Sequence, residues 1–313
     1  MPRVVAVAAS GGRDSTALLH ATTRQARALG IEVIALHVHH GLMPDADAWL
    51  DRVRRQARQW GAGFAAERLQ GRPARGDSVE AWARKERYAA LARQARDAGC
   101  GVVLLAQHRR DQAETFLIQA LRGGGAAGLA AMPRVVRREG IFWARPWLGA
   151  SREAIDAYLR RYRLRAADDP SNADRRFARG RLRSLWPAWT HAFPDAETTL
   201  ARAAQRAAED AALIAEAAAA DLAALAAEGR ALPVKPWLHL SAARRVAVLR
   251  LWLATVLTAA APETLVRRLM DELPKLHRAR WPAGQRDLVL HRGWLAAAAA
   301  APRRVSGSRP VAH

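Results

Sequence analysis

The feature that most constrains this chain is the hexapeptide Ser10-Gly11-Gly12-Arg13-Asp14-Ser15, which directly follows the apolar run of residues 4–9. That run predicts a buried strand, and the apolar spacing after the hexapeptide predicts a helix that begins near Asp14 or Ser15. Two adjacent glycines let backbone N–H groups approach an anion, and a helix N-terminus adds partial positive charge. The hexapeptide therefore predicts a phosphate-binding loop, with an ordinary capped turn as the alternative.

The chain lacks the lysine-containing phosphate loop G-x-x-x-x-G-K-[ST]. Its S-G-G-x-D-S pattern resembles instead the loop of the N-type ATP pyrophosphatases, which split ATP into AMP and pyrophosphate while adenylating a substrate. The resemblance implies that Ser10, Gly11, Gly12, Arg13, Asp14 and Ser15 form an ATP site. An acid among phosphates is favourable only beside a cation, so Asp14 is a candidate Mg²⁺ ligand.

Composition limits the class of protein. The 313 residues are enough for two domains, and the single cysteine, Cys100, excludes a disulfide framework, a thiolate zinc site and a four-cysteine cluster. It also argues against tRNA thiolases that rely on paired cysteines. The early first strand and the short apolar runs lead us to expect no signal peptide, no membrane partner and a cytoplasmic location.

The net charge is +21, and Lys85, Lys235 and Lys275 are the only lysines, so nearly all the positive charge is arginine. Guanidinium groups pair with phosphates and with base edges, which favours a nucleic-acid partner. A general bias of the sequence towards alanine and arginine is the alternative source of this charge.

Residues 31–38 predict a second strand, which ends in His37-Val38-His39-His40. Strand alternation places His37 and His39 on one side and His40 on the other, without a nearby cysteine or carboxylate set, so zinc is the weaker interpretation. We expect instead that this strand end borders the nucleotide and that His40 orients the loop.

A third apolar strand, residues 102–106, leads into the polar run of residues 107–115. On a helix that begins near Asp111, the side chains of Asp111, Glu114 and Arg122 project within a narrow arc. The carboxylates would lie at the N-terminal end, with Arg122 about 16 Å further along the helix. They are candidate ligands for a metal or an amine, and the glycine-rich residues 123–128 predict a mobile flap.

The chain contains seven motifs between residues 10 and 183: Ser10 to Ser15, His40-Gly41-Leu42, residues 80–88, His108-x-x-Asp111-Gln112-Ala113-Glu114-Thr115, Leu121-Arg122-Gly123 through Gly128-Leu129, Arg145-Pro146-Trp147-Leu148, and Asp169-Pro170-Ser171-Asn172 through Phe177-x-Arg179-x-Arg181-Leu182-Arg183. In their order and spacing they resemble the motifs of the tRNA(Ile)-lysidine synthetases. Together they are far more specific than any one of them alone.

The resemblance implies a reaction in two steps. ATP adenylates the C2 carbonyl oxygen of cytidine 34 in the CAU anticodon of tRNA(Ile), and free L-lysine then displaces AMP to give lysidine. The resemblance makes Asp14, Asp111 and Glu114 catalytic, with Asp14 and Asp111 as Mg²⁺ ligands and with Asp111 and Glu114 binding lysine. It makes four arginines candidate contacts to the adenylate or the tRNA: Arg122, Arg179, Arg181 and Arg183. A solvated arginine-rich helix is the alternative for residues 175–183.

The sequence departs from the family pattern at three positions. Arg110 stands where the first of two consecutive acids is usual, His39 replaces an Asp or Asn, and Gly180 replaces an Asn. Either Asp111 works without a neighbouring acid, or Arg110 contacts a phosphate.

The predicted fold class is α/β, with a parallel-sheet ATP pyrophosphatase domain and a second, smaller, mainly helical domain. We place the adenylation domain at 1–185, a helical connector at 186–230, a tRNA-binding domain at 231–302 and a tail at 303–313. The connector contains an alanine-rich helix, residues 196–228, which is expected to end at Gly229. Local patterns also predict a helix at 79–98 capped by Ser78, a hairpin at 134–144 with its turn at Glu139-Gly140, a helix at 151–162 capped by Ser151, a turn at 168–172 and a terminal hairpin at 285–295. Arginines of the third segment are candidates for tRNA phosphates, and its tryptophans are core residues more often than stacking platforms. The length resembles the short form of the family.

Two other functions stay open at this point. One is a different PP-loop adenylating synthetase or amidotransferase that acts on a small molecule. The other is an inactive tRNA-binding relative, an interpretation that rests on Arg110 in place of the usual acid. A homodimer is a further hypothesis.

Overall fold

The computed structural model describes residues 4–39, 41, 46–71, 79–167, 176, 178–225 and 231–300. Some expectations fall outside these ranges: the role of His40, the helix cap at Ser78, the turn at 168–172, the aromatic Phe177, the helix end at Gly229 and the tail at 303–313. The chain divides into two compact units between Ala208 and Glu209. The domain boundaries expected from composition stay predictions.

The N-terminal unit contains β1 (Val4–Ala8), α1 (Arg13–Ala28), β2 (Glu32–His39), α2 (Ala46–Trp60), β3 (Gly63–Arg68), α3 (Val79–Asp97), β4 (Val102–Leu104), α4 (Arg109–Leu121), α5 (Ala126–Leu129), β5 (Val135–Arg138), β6 (Ile141–Ala144), α6 (Arg152–Arg161) and α7 (Ala178–Ala192). Strands and helices alternate from β1 to α4, as the sequence pattern predicts. The predicted bounds need small corrections: α1 begins at Arg13, and α4 begins at Arg109 rather than near Asp111.

The six strands form one sheet in the order β3-β2-β1-β4-β6-β5, parallel except for the β5–β6 pair. Val7 and Val33 pack on the face covered by α1 and α2, while Ala6 and Leu36 pack on the face covered by α3. Strands buried on both faces need continuous apolar runs, which explains the composition of β1 and β2. Strands β2 and β3 lie on one side of β1, and the next strand along the chain, β4, lies on the other side, so the strand order reverses at β1. Ligands of open α/β sheets bind at such a reversal, outside the carboxyl ends of the strands.

The hairpin predicted at 134–144 is confirmed as β5 and β6, with its turn at Glu139 and Gly140, both at positive φ. The helix predicted at 151–162 is confirmed as α6, and the Ser151 hydroxyl accepts a hydrogen bond from the Ala154 amide at 3.1 Å. This hydroxyl satisfies one of the otherwise unpaired amides of the first turn.

The glycine-rich segment after α4 contains a short helix, α5, that the sequence did not predict. The Gly124 amide donates to the Gln119 carbonyl at 2.8 Å, and a Cβ at Gly124 would lie 2.9 Å from that oxygen. Close approach of two backbone segments therefore requires glycine at this position. Movement of the segment as a flap stays a prediction.

The remaining elements are α8 (Ala196–Ala224), β7 (Leu232–Pro233), α9 (Val234–Leu238), α10 (Ala242–Val256), α11 (Glu263–Glu272), β8 (Arg278–Ala283), β9 (Arg286–His291) and β10 (Trp294–Ala299). α8 begins in the N-terminal unit and continues into the second unit as one helix. The second unit contains an antiparallel sheet, β7-β10-β9-β8, of which only the β9–β10 hairpin was predicted. Trp252 and Trp281 are core residues, as expected, whereas Trp294 is 40% exposed. No helix in the described ranges combines the length and apolar character that crossing a bilayer requires.

Candidate active site

The loop between β1 and α1 is held together by two serine side chains. The Ser15 hydroxyl accepts a hydrogen bond from the Ser10 amide at 3.2 Å and lies 3.0 Å from the Ser10 hydroxyl. Gly11 has φ +87°, a conformation that favours glycine. The first amides of any helix lack intrahelical partners. Gly12 is the N-cap of α1, and no described side chain caps this helix in their place. Those amides make the loop a suitable anion site.

His108 links the end of β1 to the end of β4. It is the N-cap of α4, it is buried, and its Nε2 lies 3.5 Å from Asp111 Oδ2 and 3.7 Å from Asp14 Oδ2. Its backbone amide also donates to Asp111 Oδ2 at 3.0 Å. The structure therefore brings the two predicted metal ligands, Asp14 and Asp111, to the same imidazole, although their sequence positions lie far apart.

The electrostatics of the two aspartates fit a divalent cation. Burial raises the pKa of Asp14, the charge of His108 opposes this shift, and the neighbouring Asp111 raises the pKa further. Two carboxylates that repel each other in this way gain from a shared cation. Mg²⁺ needs only one or two protein carboxylates, because waters and phosphates supply its other ligands.

Glu114 is completely buried and is paired with Arg183 of α7. The Arg183 Nε donates to Glu114 Oε1 at 2.8 Å, and its Nη2 donates to Oε2 at 3.2 Å and to Asp111 Oδ1 at 3.4 Å. Burial by itself would lower the pKa of Arg183, but the hydrogen bonds that Arg183 donates to Glu114 and the negative charges of Glu114 and Asp111 outweigh burial, so the pKa of Arg183 is raised. Three residues predicted from the sequence, Asp111, Glu114 and Arg183, thus form one charged cluster.

Arg110 is fixed by an acid that the sequence analysis did not identify. Glu197, in the first turn of α8, accepts one hydrogen bond from Arg109 Nε at 2.9 Å and another from Arg110 Nε at 3.0 Å. The Arg110 guanidinium also lies 5.5 Å from the centre of a Trp186 ring, a cation–π distance. Neither of the two expectations for Arg110 included this pairing.

The other predicted arginines lie in different surroundings. Arg13 pairs with Asp156 of α6, and Arg179 Nη2 donates to the Thr115 hydroxyl at 2.9 Å, next to Glu114. Arg181 is exposed and donates to the Arg176 carbonyl at 3.0 Å. Arg122 is the exposed C-cap of α4, at the opposite end of that helix from Asp111. The ligands of these arginines stay predictions.

Sequence reasoning missed the roles of His108, Gln112 and Glu197. The buried Gln112 side chain forms two hydrogen bonds of 3.0 Å with the backbone of Met132, which fixes the chain after α5. A polar run directly after a buried strand is a signal that could have found His108 and Gln112. Glu197 carries no local signal, because its partners are far away in the sequence.

The histidines of β2 have structural surroundings. His37 Nδ1 lies 2.7 Å from the Ala9 carbonyl, and burial lowers the pKa of His37, which favours a neutral ring that donates to this carbonyl. His39 is buried as well. Within the described ranges, no cluster of three or more His, Cys, Asp or Glu side chains is arranged to hold a metal ion.

The fold and the site define the class of this protein. A loop of the S-G-G-x-D-S type at the sheet reversal, with acids from the next strand end, is the arrangement of a PP-loop protein, and the PP-loop domain family model matches residues 1–188. The U34-tRNA thiolase NcsA from Methanococcus maripaludis shares the fold, with a TM-score of 0.57 at 14% identity over 65% of this chain and 70% of that one.

Curated relatives define the family more narrowly. The tRNA(Ile)-lysidine synthase of Bordetella pertussis is 39% identical over 305 residues, which cover 93% of this chain and 95% of the relative. The tRNA(Ile)-lysidine synthase of Ralstonia nicotianae is 45% identical over 278 residues, and the match covers 88% of this chain but 59% of that longer relative. The chain belongs to the tRNA(Ile)-lysidine synthase family.

Proposed function

We propose that this chain ligates lysine to C2 of cytidine 34 in the CAU anticodon of tRNA(Ile), through an adenylated cytidine, with release of pyrophosphate and AMP. The observation that carries the proposal is the cluster at the carboxyl ends of β1 and β4, which consists of Asp14, His108, Asp111, Glu114 and Arg183. Family membership supports the choice of tRNA, and this cluster supplies the charges that the reaction needs.

The first step forms the adenylate. The C2 oxygen of the base attacks the α-phosphorus of ATP, and the bond to pyrophosphate breaks. The first amides of α1, with the hydroxyls of Ser10 and Ser15, stabilise the negative charge of the departing group. Asp14 and Asp111 would hold Mg²⁺, which neutralises phosphate charge when bound.

The second step joins lysine to the base. The ε-amine attacks C2, the C2–oxygen bond to AMP breaks, and the amine loses a proton. Because the reference pKa of lysine is near 10.4, forming the neutral amine at pH 7 costs about 4.6 kcal/mol. Asp111 and Glu114 hold the ammonium group, and Glu114 accepts the proton as the amine attacks. Arg183 fixes the orientation of Glu114, whose oxygens keep further lone pairs for the ammonium.

Substitution of the metal ligands tests the first step. Asp14→Ala and Asp111→Ala should each abolish tRNA-dependent pyrophosphate release while tRNA affinity stays nearly unchanged, because the phosphate charge loses its cation. The measurement is pyrophosphate release from ATP with a transcript of the cognate tRNA, alongside a binding titration.

The matched control for these variants is Asp51→Ala, since Asp51 is an acid that pairs with Arg54 on the surface. The control should keep full activity. Turnover retained in the Asp14 or Asp111 variant would refute the metal assignment.

We also propose that the reaction takes place in the cytoplasm and that the chain forms a homodimer, a state that sedimentation equilibrium measures directly. The small-molecule alternative is not favoured, because the curated relatives quoted above are tRNA-modifying enzymes by name. The inactive-relative alternative requires tRNA binding without pyrophosphate release, so the same assay decides it.

A further inference from the structure

A cavity of about 340 Å³ lies in the N-terminal unit beside the charged cluster. Its wall is formed by Arg110, Arg152, Arg183, Trp186, Pro187 and Thr190. This volume falls in the range of small-molecule sites, and the wall contains three arginines and no acid. Such a wall suits a small organic anion.

The cavity borders the carboxylates of the active site. Arg183 belongs to its wall, and the same guanidinium donates to Glu114 and Asp111. Arg152, which also lines the cavity, acts electrostatically on Asp14. A molecule held at the carboxylates can therefore extend along Arg183 into a positively charged space.

The positive charge of this space is only partly balanced. Arg110 shares the single carboxylate of Glu197 with Arg109, and its other acid, Glu153, lies 3.5 Å away with a side chain that is 72% exposed. An exposed pair of this kind contributes little. Arg152 forms no hydrogen bond or ion pair with any residue of the described ranges. In addition, the buried indole N–H of Trp186 has no acceptor there.

We propose that this cavity binds the α-carboxylate of the amino-acid substrate through Arg110 and Arg152, while Asp111 and Glu114 hold its ε-ammonium group. The inference rests on the proposed function. A four-carbon stem separates the ε-ammonium group of lysine from the end that carries its carboxylate and α-ammonium groups, and Arg183 joins the acids of the site to the arginine-lined cavity. Phosphate groups of ATP already have the amides of α1, so the free anion that needs a site is the carboxylate.

Glu197 acts as a positioning residue in this arrangement. Glu197 is buried and accepts hydrogen bonds from the Nε atoms of Arg109 and Arg110. The guanidinium of Arg110 also lies over the ring of Trp186. With Nε fixed at Glu197, the terminal amino groups of Arg110 are held within the described ranges only by the 3.5 Å contact of Nη2 with the exposed Glu153, which a ligand in the cavity can replace. An acid at position 110, which is usual in the family, would instead place a negative charge next to that of Asp111.

Cadaverine, which is lysine without its carboxylate, separates the two ends of the site. In Arg110→Ala we expect the KM for lysine to rise at least about tenfold, as for the loss of one charged hydrogen bond. The inhibition constant of cadaverine against lysine should stay unchanged or fall, because one of its two ammonium groups meets the unchanged carboxylates while the other faces one arginine fewer. Pyrophosphate release without lysine should be the same in Arg110→Ala as in the wild type. If the wild type itself released no pyrophosphate, that result would refute the proposed function and not this inference.

Three further variants complete the experiment. Arg109→Ala is the matched control, because Arg109 shares Glu197 but does not line the cavity, and it should leave the lysine KM unchanged. Arg110→Gln keeps most of the packing volume and should raise the lysine KM as Arg110→Ala does. Glu197→Gln should raise the lysine KM with no change in kcat, which separates positioning from a general structural defect.

The inference is overturned if Arg110→Ala and Arg110→Gln leave the lysine KM unchanged. It is equally overturned if lysine and cadaverine lose affinity together, since that result indicates a distorted site.

Discussion

Glu114 is the residue whose surroundings most restrict the chemistry of the site. Its carboxylate is completely buried, and Arg183 binds both of its oxygens. A buried carboxylate without a cation is strongly unfavourable, so the arginine and an incoming ammonium group compensate the same charge. The sequence indicated that Glu114 belongs to the site, but the contact with Arg183 comes from the packing of α7 against α4.

Removing the charge of Glu114 should affect lysine binding and leave adenylation intact. In Glu114→Gln we expect the lysine KM to rise at least about tenfold, because one charged hydrogen bond is lost, while pyrophosphate release without lysine continues. Unlike Arg110→Ala, this variant should also weaken inhibition by cadaverine. Steady-state kinetics with both compounds give the comparison.

Glu67→Gln is the control for this substitution, since Glu67 pairs with Arg93 away from the site. An unaltered lysine KM in the Glu114 variant would remove Glu114 from lysine binding. The truncation to alanine is less informative, because an unpaired buried Arg183 would destabilise the fold by about 3–5 kcal/mol.

At the scale of elements, the turn from β1 into α1 decides where the anion site lies. Gly11 is at φ +87°, and its carbonyl accepts a hydrogen bond from the Ala167 amide at 2.9 Å. This hydrogen bond connects the turn to a segment far along the sequence. Gly12, at φ −73°, has an ordinary extended backbone and begins the helix. The two glycines therefore serve different purposes, although they look equivalent in the sequence.

This difference predicts unequal effects of alanine on stability. Gly11→Ala should lower the free energy of unfolding by about 1–2 kcal/mol, because an L-residue is strained at positive φ. A Cβ there would also meet Val53 at 3.4 Å. Gly12→Ala, the matched variant, should cost clearly less. Urea unfolding of both variants gives the values, and equal losses would contradict this view of the turn.

At the scale of the whole molecule, the positive charge is less available than the sequence suggests. Five of the arginines expected to contact tRNA phosphates in the second unit form ion pairs there: Arg244 with Asp221, Arg250 and Arg267 with Glu263, Arg268 with Glu272 and Arg280 with Asp287. Arg278 and Arg286 form no ion pair with any described residue. These two are the better candidates for phosphate contacts.

Salt dependence of tRNA binding distinguishes the two groups of arginines. Arg278→Ala and Arg286→Ala should each weaken binding and reduce the slope of log K against log salt by about one unit, because one counterion fewer is released. Arg250→Ala, the paired control, should change the slope less. Filter binding across a range of salt concentrations measures the slopes, and identical slopes in all three variants would exclude these arginines as phosphate contacts.

Local patterns were sufficient for much of the fold. The apolar run before Ser10, the hairpin at Glu139-Gly140 and the Ser151 cap each depend on neighbours in the sequence, and all three are confirmed. The helix α5 was missed because glycine and alanine give no amphipathic pattern. The strand β8 was missed because its arginines obscure the alternation of a half-buried strand.

The sequence by itself determined the phosphate-binding loop, the polar run after β4 and the family, since each depends on residues close together along the chain or on motif order. Only the tertiary structure decided which charges meet: His108 with Asp14, Arg183 with Glu114, and Glu197 with both Arg109 and Arg110. Ion pairs form through space between elements distant in sequence, and spacing along one strand or helix carries no information about such partners.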